Sequence, residues 1–202
     1  MSLTEAAAPV ATPETRAQRL RRATHSLHES LDSRISDAKL FTDRDRYALF
    51  LAMQRRFHAD VDALYRDPRL IAVIPDLLER RKLDLIDQDL ADLGRAPPAN
   101  PAQPADPSDE AAALGWLYVA EGSNLGAAFL LKEAAKLGLS ESFGARSLAA
   151  HPEGRGLHWR RFTQDLDGPQ LTPEEEERAE AGAAAAFARV RALAEETIAA
   201  AG

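Results

Sequence analysis

The stretch Gly115-Trp-Leu-Tyr-Val-Ala-Glu-Gly122-Ser-Asn-Leu-Gly126-Ala-Ala-Phe129 decides how this chain is read. Ala111 to Ala113 precede it and Leu130-Leu131-Lys132-Glu133-Ala134-Ala135 follow it, so its setting is helical. Three glycines interrupt that setting, and each interior glycine costs a helix about 1 kcal/mol relative to alanine. Such a cost is borne where packing or function offsets it. At roughly 100° per residue, Gly115, Gly122 and Gly126 fall in one narrow sector. Val119 and Phe129 lie in or beside it, with Tyr118 on one flank and Ser123 on the other. The expected outcome is a helix face without side chains, edged by an aromatic ring and two hydroxyls. It suits a flat, wide ligand lying on backbone, or a neighbouring helix packed at close range.

Working outward, the composition favours helix throughout. Alanine, leucine, glutamate and arginine dominate while β-branched residues are sparse. With 202 residues the chain is long enough for one domain with a real core. A net charge of −7 argues against a general nucleic-acid binder, which needs a basic surface. Zero cysteines remove disulfides, thiolate zinc sites, iron–sulfur clusters and cysteine nucleophiles together. No apolar run reaches the roughly 18 residues that span a membrane, and Met1-Ser-Leu-Thr-Glu-Ala lacks the start of a secretion signal. A cytoplasmic, all-α protein is expected.

Residues 1 to 12 read as a loose tail, followed by one domain over residues 13 to 202. A first helix is expected from Thr12-Pro13-Glu14 to about Ile35, with an apolar stripe of Leu20, Ala23, Leu27, Leu31 and Ile35. A second helical region follows Thr42-Asp43 and reaches Asp67-Pro68, with Asp60 and Asp62 expected in solvent. A third runs from Ile74-Pro75-Asp76 to Leu93-Gly94. The segment Arg95 to Ser108, with five of the twelve prolines, reads as a surface loop. The glycine-bearing helix opens at Ser108-Asp109-Glu110 and stops at Leu137-Gly138. Residues 140 to 158 read as turns, followed by a helix from Leu157 to Leu166. The last helix begins at Thr172-Pro173-Glu174-Glu175, a capping box. The acids Glu174 to Glu177 are explained by the helix dipole and solvent, with no partner assigned.

Chemistry-bearing residues are few. None of the five histidines has a second histidine at i, i+4 spacing, and no Glu-x-x-His occurs, which disfavours a di-iron carboxylate bundle. No His-Glu-x-x-His, phosphate-binding glycine loop or nucleophile elbow is present. On the first helix His28 falls at the margin of the apolar stripe, roughly 80° from Leu20, while His25 leans about 60° further toward solvent. Between Arg16 and Arg34 there are five arginines against Glu29 and Asp32 only. Arg21 lies on the same side as His28, two turns before it. A core-edge histidine with a cation two turns away can hold a cofactor that has a metal centre and carboxylate tails. The plainer reading is a half-buried histidine beside a solvated, arginine-rich face.

Taken together, these segments resemble the heme oxygenases, specifically the bacterial biliverdin-producing group, over about residues 16 to 198. The motifs that carry the resemblance are Ala23-Thr24-His25-Ser26-Leu27-His28-Glu29 and Leu114-Gly-Trp-Leu-Tyr-Val-Ala-Glu-Gly-Ser-Asn-Leu-Gly126. Phe143-Gly144-Ala145-Arg146, Trp159-Arg160-Arg161-Phe162 and Leu171-Thr172-Pro173 leading to Ala186-Phe187 support it. The resemblance implies a single helical domain that holds heme between a proximal helix and a kinked distal helix. It places the iron ligand on His28 rather than His25. It places backbone approach to the porphyrin and bound oxygen at Gly122 and Gly126, with Tyr118, Val119 and Phe187 lining the heme. Arg21 and His25, then Arg160 or Arg161, match the basic residues that hold propionates. Many animal members carry an acid where this chain has Ser123, and a glycine where it has Ala127. Proton delivery would therefore rest on Ser123, backbone carbonyls and water.

The implied reaction is oxidative ring opening of heme to biliverdin, with carbon monoxide and ferrous iron released. It consumes O2 and electrons from an external donor such as ferredoxin or a flavoprotein reductase. Implied partners also include a photoreceptor that accepts biliverdin, with no nucleic acid and no membrane; a monomer is expected. Three alternatives stay open at this point. One is a heme carrier or sensor on the same scaffold. Another is a helical interaction module whose glycine face packs a partner, and the third is a same-fold relative with other substrates, such as a thiamine-degrading or di-iron enzyme.

Overall fold

The computed structural model describes residues 14–98, 104–106 and 108–201, the last by its backbone alone. The expected N-terminal tail, and the Thr12-Pro13 start of the first helix, lie outside these residues. Glu14 and Thr15 are not helical, so the first helix begins later than its proline suggested. α1 spans Arg16–Asp37, and Thr15 caps it in a reciprocal box with Gln18.

Asp43 caps α2, Arg44–Val61, by accepting from the Arg46 amide. This helix stops short of Asp67-Pro68, where a 3₁₀ turn over Leu64–Arg66 intervenes. A short helix not expected from the sequence, α3 (Pro68–Val73), comes next, and the single helix expected from Ile74 to Leu93 is instead two pieces, a 3₁₀ turn at Leu77–Arg80 and α4 (Leu83–Asp92). Pro75 and the extended Ile74 break it. Gly94 follows α4 in the left-handed region at φ 67°, the stop its position suggested. α5 runs as continuous α-helix over Glu110–Lys136, capped by Asp109 and ended by Gly138 at φ 73°. After a 3₁₀ turn at Arg146–Leu148 come α6 (Arg155–Asp167) and α7 (Pro173–Ala201). Thr172 and Glu175 form the expected box at the start of α7. The described residues hold no strand, only isolated bridges at Ser140. The class is all-α.

α5 and α7 pack most extensively, with α1 against α7 and α2 against α4 and α7. Their shared core is built on Leu20, Tyr47, Phe50, Leu51, Leu114, Leu117, Phe162 and Leu193, all essentially without solvent contact. A Cβ placed on Gly115 would stand 2.0 Å from the Ala179 carbonyl oxygen, and one on Gly182 would stand 2.1 Å from that of Ala112. The two helices therefore cross backbone to backbone, and this crossing accounts for Gly115.

Two charge assignments need correction. Asp60 is fully buried, not solvated, and accepts from Arg189 Nε at 2.7 Å, tying α2 to α7. Glu176 does have a partner: its carboxylate receives Arg16 Nη2 at 2.9 Å and Nε at 3.2 Å. Arg16 is itself buried and also donates to the Leu166 and Pro169 carbonyls. It pins the start of α1 to the turn between α6 and α7. Both pairs join residues far apart in sequence, so no local pattern announces them.

Candidate functional site

The site is assembled from α1, α5 and α7. The three glycines of α5 have different surroundings. Gly115 is spent on the α7 crossing. At Gly122 an added Cβ would meet only the Trp159 ring, at 3.7 Å, and at Gly126 nothing lies within 4 Å. Beside Gly126, Leu125 is 44% exposed and Phe129 65% exposed. Apolar side chains of that size left in solvent next to a bare helix backbone mark a docking face for an apolar ligand. Val119 is buried in the core and Tyr118 half-buried, its ring 5.5 Å from that of Trp159. Burial raises the pKa of the Tyr118 hydroxyl, and the positive charge of Arg21 on α1 opposes that rise. Ser123 is exposed, and its hydroxyl donates back to the Ala120 carbonyl at 2.7 Å. That bond satisfies the hydroxyl within its own helix and favours local bending.

The core-edge placement expected for His28 does not hold: its side chain is 60% exposed against 68% for His25, so exposure does not separate them and their nitrogens do. His25 sets Nε2 3.4 Å from Glu29. His28 turns Nδ1 to Asp32 at 3.0 Å, and its Nε2 has no partner among the described residues. A carboxylate on Nδ1 fixes the tautomer that offers an Nε2 lone pair to a metal. The His28 ring also stands edge-on to Phe187 of α7, at 6.0 Å between centroids. Asp32 was not singled out from sequence, although its i+4 spacing from His28 was readable there.

The arginines of α1 sort in the same way. Arg16, Arg19, Arg22 and Arg34 pair with Glu176, Glu180, Glu14 and Glu195 respectively. Arg21 is exposed and has no carboxylate partner among the described residues. On α6, Arg161 is held by Glu153, whereas Arg160 is exposed and pairs with no described residue. Arg21 and Arg160 are thus free to meet acidic groups of a ligand.

Behind α5 lies a polar centre that periodicity did not reveal. Glu121, adjacent to Gly122, is buried and accepts from the Tyr65 hydroxyl at 2.7 Å and from Arg80 Nη1 at 3.1 Å. Burial raises the Glu121 pKa, against the lowering effect of the bonds from Tyr65 and Arg80. Arg80 is shared with Asp76 through two bonds of 2.7 Å and lies over the Phe162 ring at 5.4 Å. A cavity of about 160 Å³ adjoins this centre, with Lys82, Asn124, Arg155 and His158 among its walls. Desolvation, then Arg80, lowers the His158 pKa to about 4. The signal available in sequence was an acid on the core side of a helix otherwise built of Val119 and Ala120.

The residues present fit a planar tetrapyrrole. A Cβ-free backbone face, exposed apolar neighbours, a histidine with its Nε2 available and unpaired arginines supply what such a group needs. Comparison with known proteins agrees. The heme oxygenase family model matches residues 14–196. Heme oxygenase PigA of Pseudomonas aeruginosa is 44% identical over 185 residues, covering 91% of this chain and 93% of that protein. The structure of the NO- and CO-bound heme oxygenase from Neisseria meningitidis matches with a TM-score of 0.85 at 42% identity, covering 93% of this chain and 94% of that one. A family match over nearly the whole sequence, joined to the same helical architecture, shows that the chain belongs to the heme oxygenase family.

Proposed function

We propose that His28 is the iron ligand of an enzyme that opens heme to biliverdin, releasing carbon monoxide and ferrous iron. The reading rests on one combination: the open face at Gly126 together with a histidine whose Nδ1 is held by Asp32 and whose Nε2 is unengaged. Heme, when bound, supplies the iron that activates O2 and the meso carbon that is oxidised. The chain supplies position, exclusion of water and protons. Asp32 keeps the proton on Nδ1 of His28, and Phe187 packs against the ring. Arg21 and Arg160 meet the propionates, with His25 beside Arg21 on α1. The backbone at Gly122 and Gly126 approaches the ring without intervening side chains, flanked by Tyr118 and Val119. Ser123 offers oxygen lone pairs at the edge of this segment while its proton is held by Ala120. No acid among the described residues lies in the Gly122–Gly126 sector, and the buried carboxyl of Glu121 belongs to the residue just before Gly122.

The same reading takes a ferredoxin or flavoprotein reductase as electron donor, and a single copy of the domain, residues 13 to 202, as the working unit. It sets the enzyme in the cytoplasm, where a chain with zero cysteines needs no oxidising partner. The products serve iron acquisition from heme or biliverdin supply to a photoreceptor in this reading. No described helix is long and apolar enough to cross a membrane.

Hemin titration followed by ascorbate, or by ferredoxin with its reductase, under air tests the assignment. The Soret band should form and then give way to the broad red absorption of biliverdin. His28→Ala should abolish turnover and change the ferric spectrum, whereas His25→Ala should keep the ligation spectrum and weaken hemin binding. A stable Soret band without bleaching would favour the carrier reading. Retention of wild-type ligation in His28→Ala would refute the ligand assignment.

A further inference from the structure

The α5 segment between Gly122 and Gly126 is held from behind by one side chain. Arg155, the first residue of α6, donates Nη1 to the Asn124 carbonyl at 3.0 Å and Nη2 to the Leu148 carbonyl. Asn124 lies roughly 180° around the helix from the sector of Gly122 and Gly126. A carbonyl inside an α-helix already receives the amide four residues on. A second, charged donor on its remaining lone pair tilts the carbonyl outward and bends the helix locally. Glycines on the opposite side offer little resistance to that bend.

Arg155 also differs from most arginines of the chain. No carboxylate stands within ion-pair distance of it among the described residues, and its charge is spent on two backbone carbonyls. Desolvation disfavours that charge, and Glu141 is the acid that offsets it from a distance. A half-buried cation bound only to carbonyls is a costly way to decorate a surface. It is an effective way to fix two backbone segments at a set separation, because the planar guanidinium is rigid and bidentate. On the neighbouring face of α5 the Asn124 side chain donates to Glu121 at 3.4 Å, while its Oδ1 is buried without a hydrogen-bond partner.

We propose that Arg155 is a positioning residue for the oxygen-side face: through the Asn124 carbonyl it sets how closely the Gly122–Gly126 backbone approaches heme and its bound gas. The proposal rests on heme lying on that face. Arg155 acts from the rear of the helix and touches neither heme nor oxygen.

The test uses the full chain loaded with hemin, comparing wild type with Arg155→Met, which removes every donor, and Arg155→Lys, which keeps the charge but can reach fewer acceptors. Hemin affinity and the ferric ligation spectrum should change less than about twofold, since the iron ligand is on α1. The C–O stretching band of the ferrous CO complex should shift or split in Arg155→Met. Ring opening should slow on the order of tenfold and the biliverdin isomer ratio should broaden, as expected when a reacting geometry loosens by a fraction of an ångström. Arg155→Lys should fall between the two. Unchanged C–O band and isomer ratio in Arg155→Met would overturn the proposal. So would their change only in parallel with a lost Soret band, which marks a general structural role. If Arg155→Met fails to fold, the Arg155→Lys spectrum decides alone: a wild-type C–O band there refutes the idea, and a shifted one with intact hemin binding supports it. Gly126→Leu separates this from the underlying reading, since undiminished hemin binding by that variant would move heme off this face altogether.

Discussion

At the residue scale, the chemistry depends on what each polar group has already been given. His28 and His25 are three residues apart and both accessible, yet only one keeps Nε2 unengaged. The same accounting makes His58 informative. It is buried on α2, edge-on to Phe57, and desolvation, helped by Lys82, lowers its pKa from 6.5 to about 3. A folded-state pKa below the unfolded value means that the unfolded chain takes up the proton first as pH falls. Stability linked to His58 is therefore intact above about pH 6.5 and is lost progressively toward pH 3. At pH 5 the loss amounts to about 2 kcal/mol. Urea unfolding of His58→Gln between pH 7 and pH 4 should show a flatter acid limb than wild type. Parallel limbs would mean that His58 takes no part in the acid response.

At the element scale, glycines sharing one face of one helix serve different purposes. Gly115, with Gly182 opposite, lets α5 and α7 cross in backbone contact, while Gly126 faces open space. Substitution separates these roles. Gly115→Ala and Gly182→Ala should each destabilise by about 3 kcal/mol, because the new methyl overlaps a carbonyl that cannot retreat. Gly126→Ala should raise the stability of the ligand-free protein by up to about 1 kcal/mol, from helix propensity alone, while weakening hemin binding. Thermal or urea unfolding with and without hemin checks all three. A Gly115→Ala variant as stable as wild type would contradict the backbone crossing. The helical period placed all three glycines together correctly; it could not say which faced another helix, since that depends on where α7 lies.

Over the whole molecule, long-range ion pairs decide how the helices close around the site. Arg16 binds the Glu176 carboxylate and two carbonyls at the α6–α7 turn, fixing the root of the helix that carries His28. Arg16→Met should cost about 3 kcal/mol, chiefly because acceptors designed for a guanidinium are left unpaired. Chemical denaturation measures it, and a loss below about 0.5 kcal/mol would place this pair with ordinary surface salt bridges. Asp60 and Glu121 are likewise buried acids held by distant partners; nothing local marks Asp60, and Glu121 is marked only by its place on the core side of α5.

What the sequence alone determined is the local part: an all-α chain, the caps of α2, α5 and α7, the glycine sector and the face carrying His28 and Arg21. Each follows from periodicity or from a cap within a few residues, where the controlling interactions are short-range. The family resemblance, borne out by the matches over nearly the whole chain, came from the order and spacing of such local motifs. Only the tertiary structure decided that Gly115 serves packing while Gly126 stays open, and that Arg21 stays unpaired while four neighbouring arginines are engaged. It alone joined Glu121, Tyr65 and Arg80 behind the glycine face. Except for the Arg22–Glu14 pair, 8 positions apart, these outcomes turn on partners at least 41 positions away in the chain. The reason is that burial and pairing depend on which helices meet, and no local window of sequence contains that information.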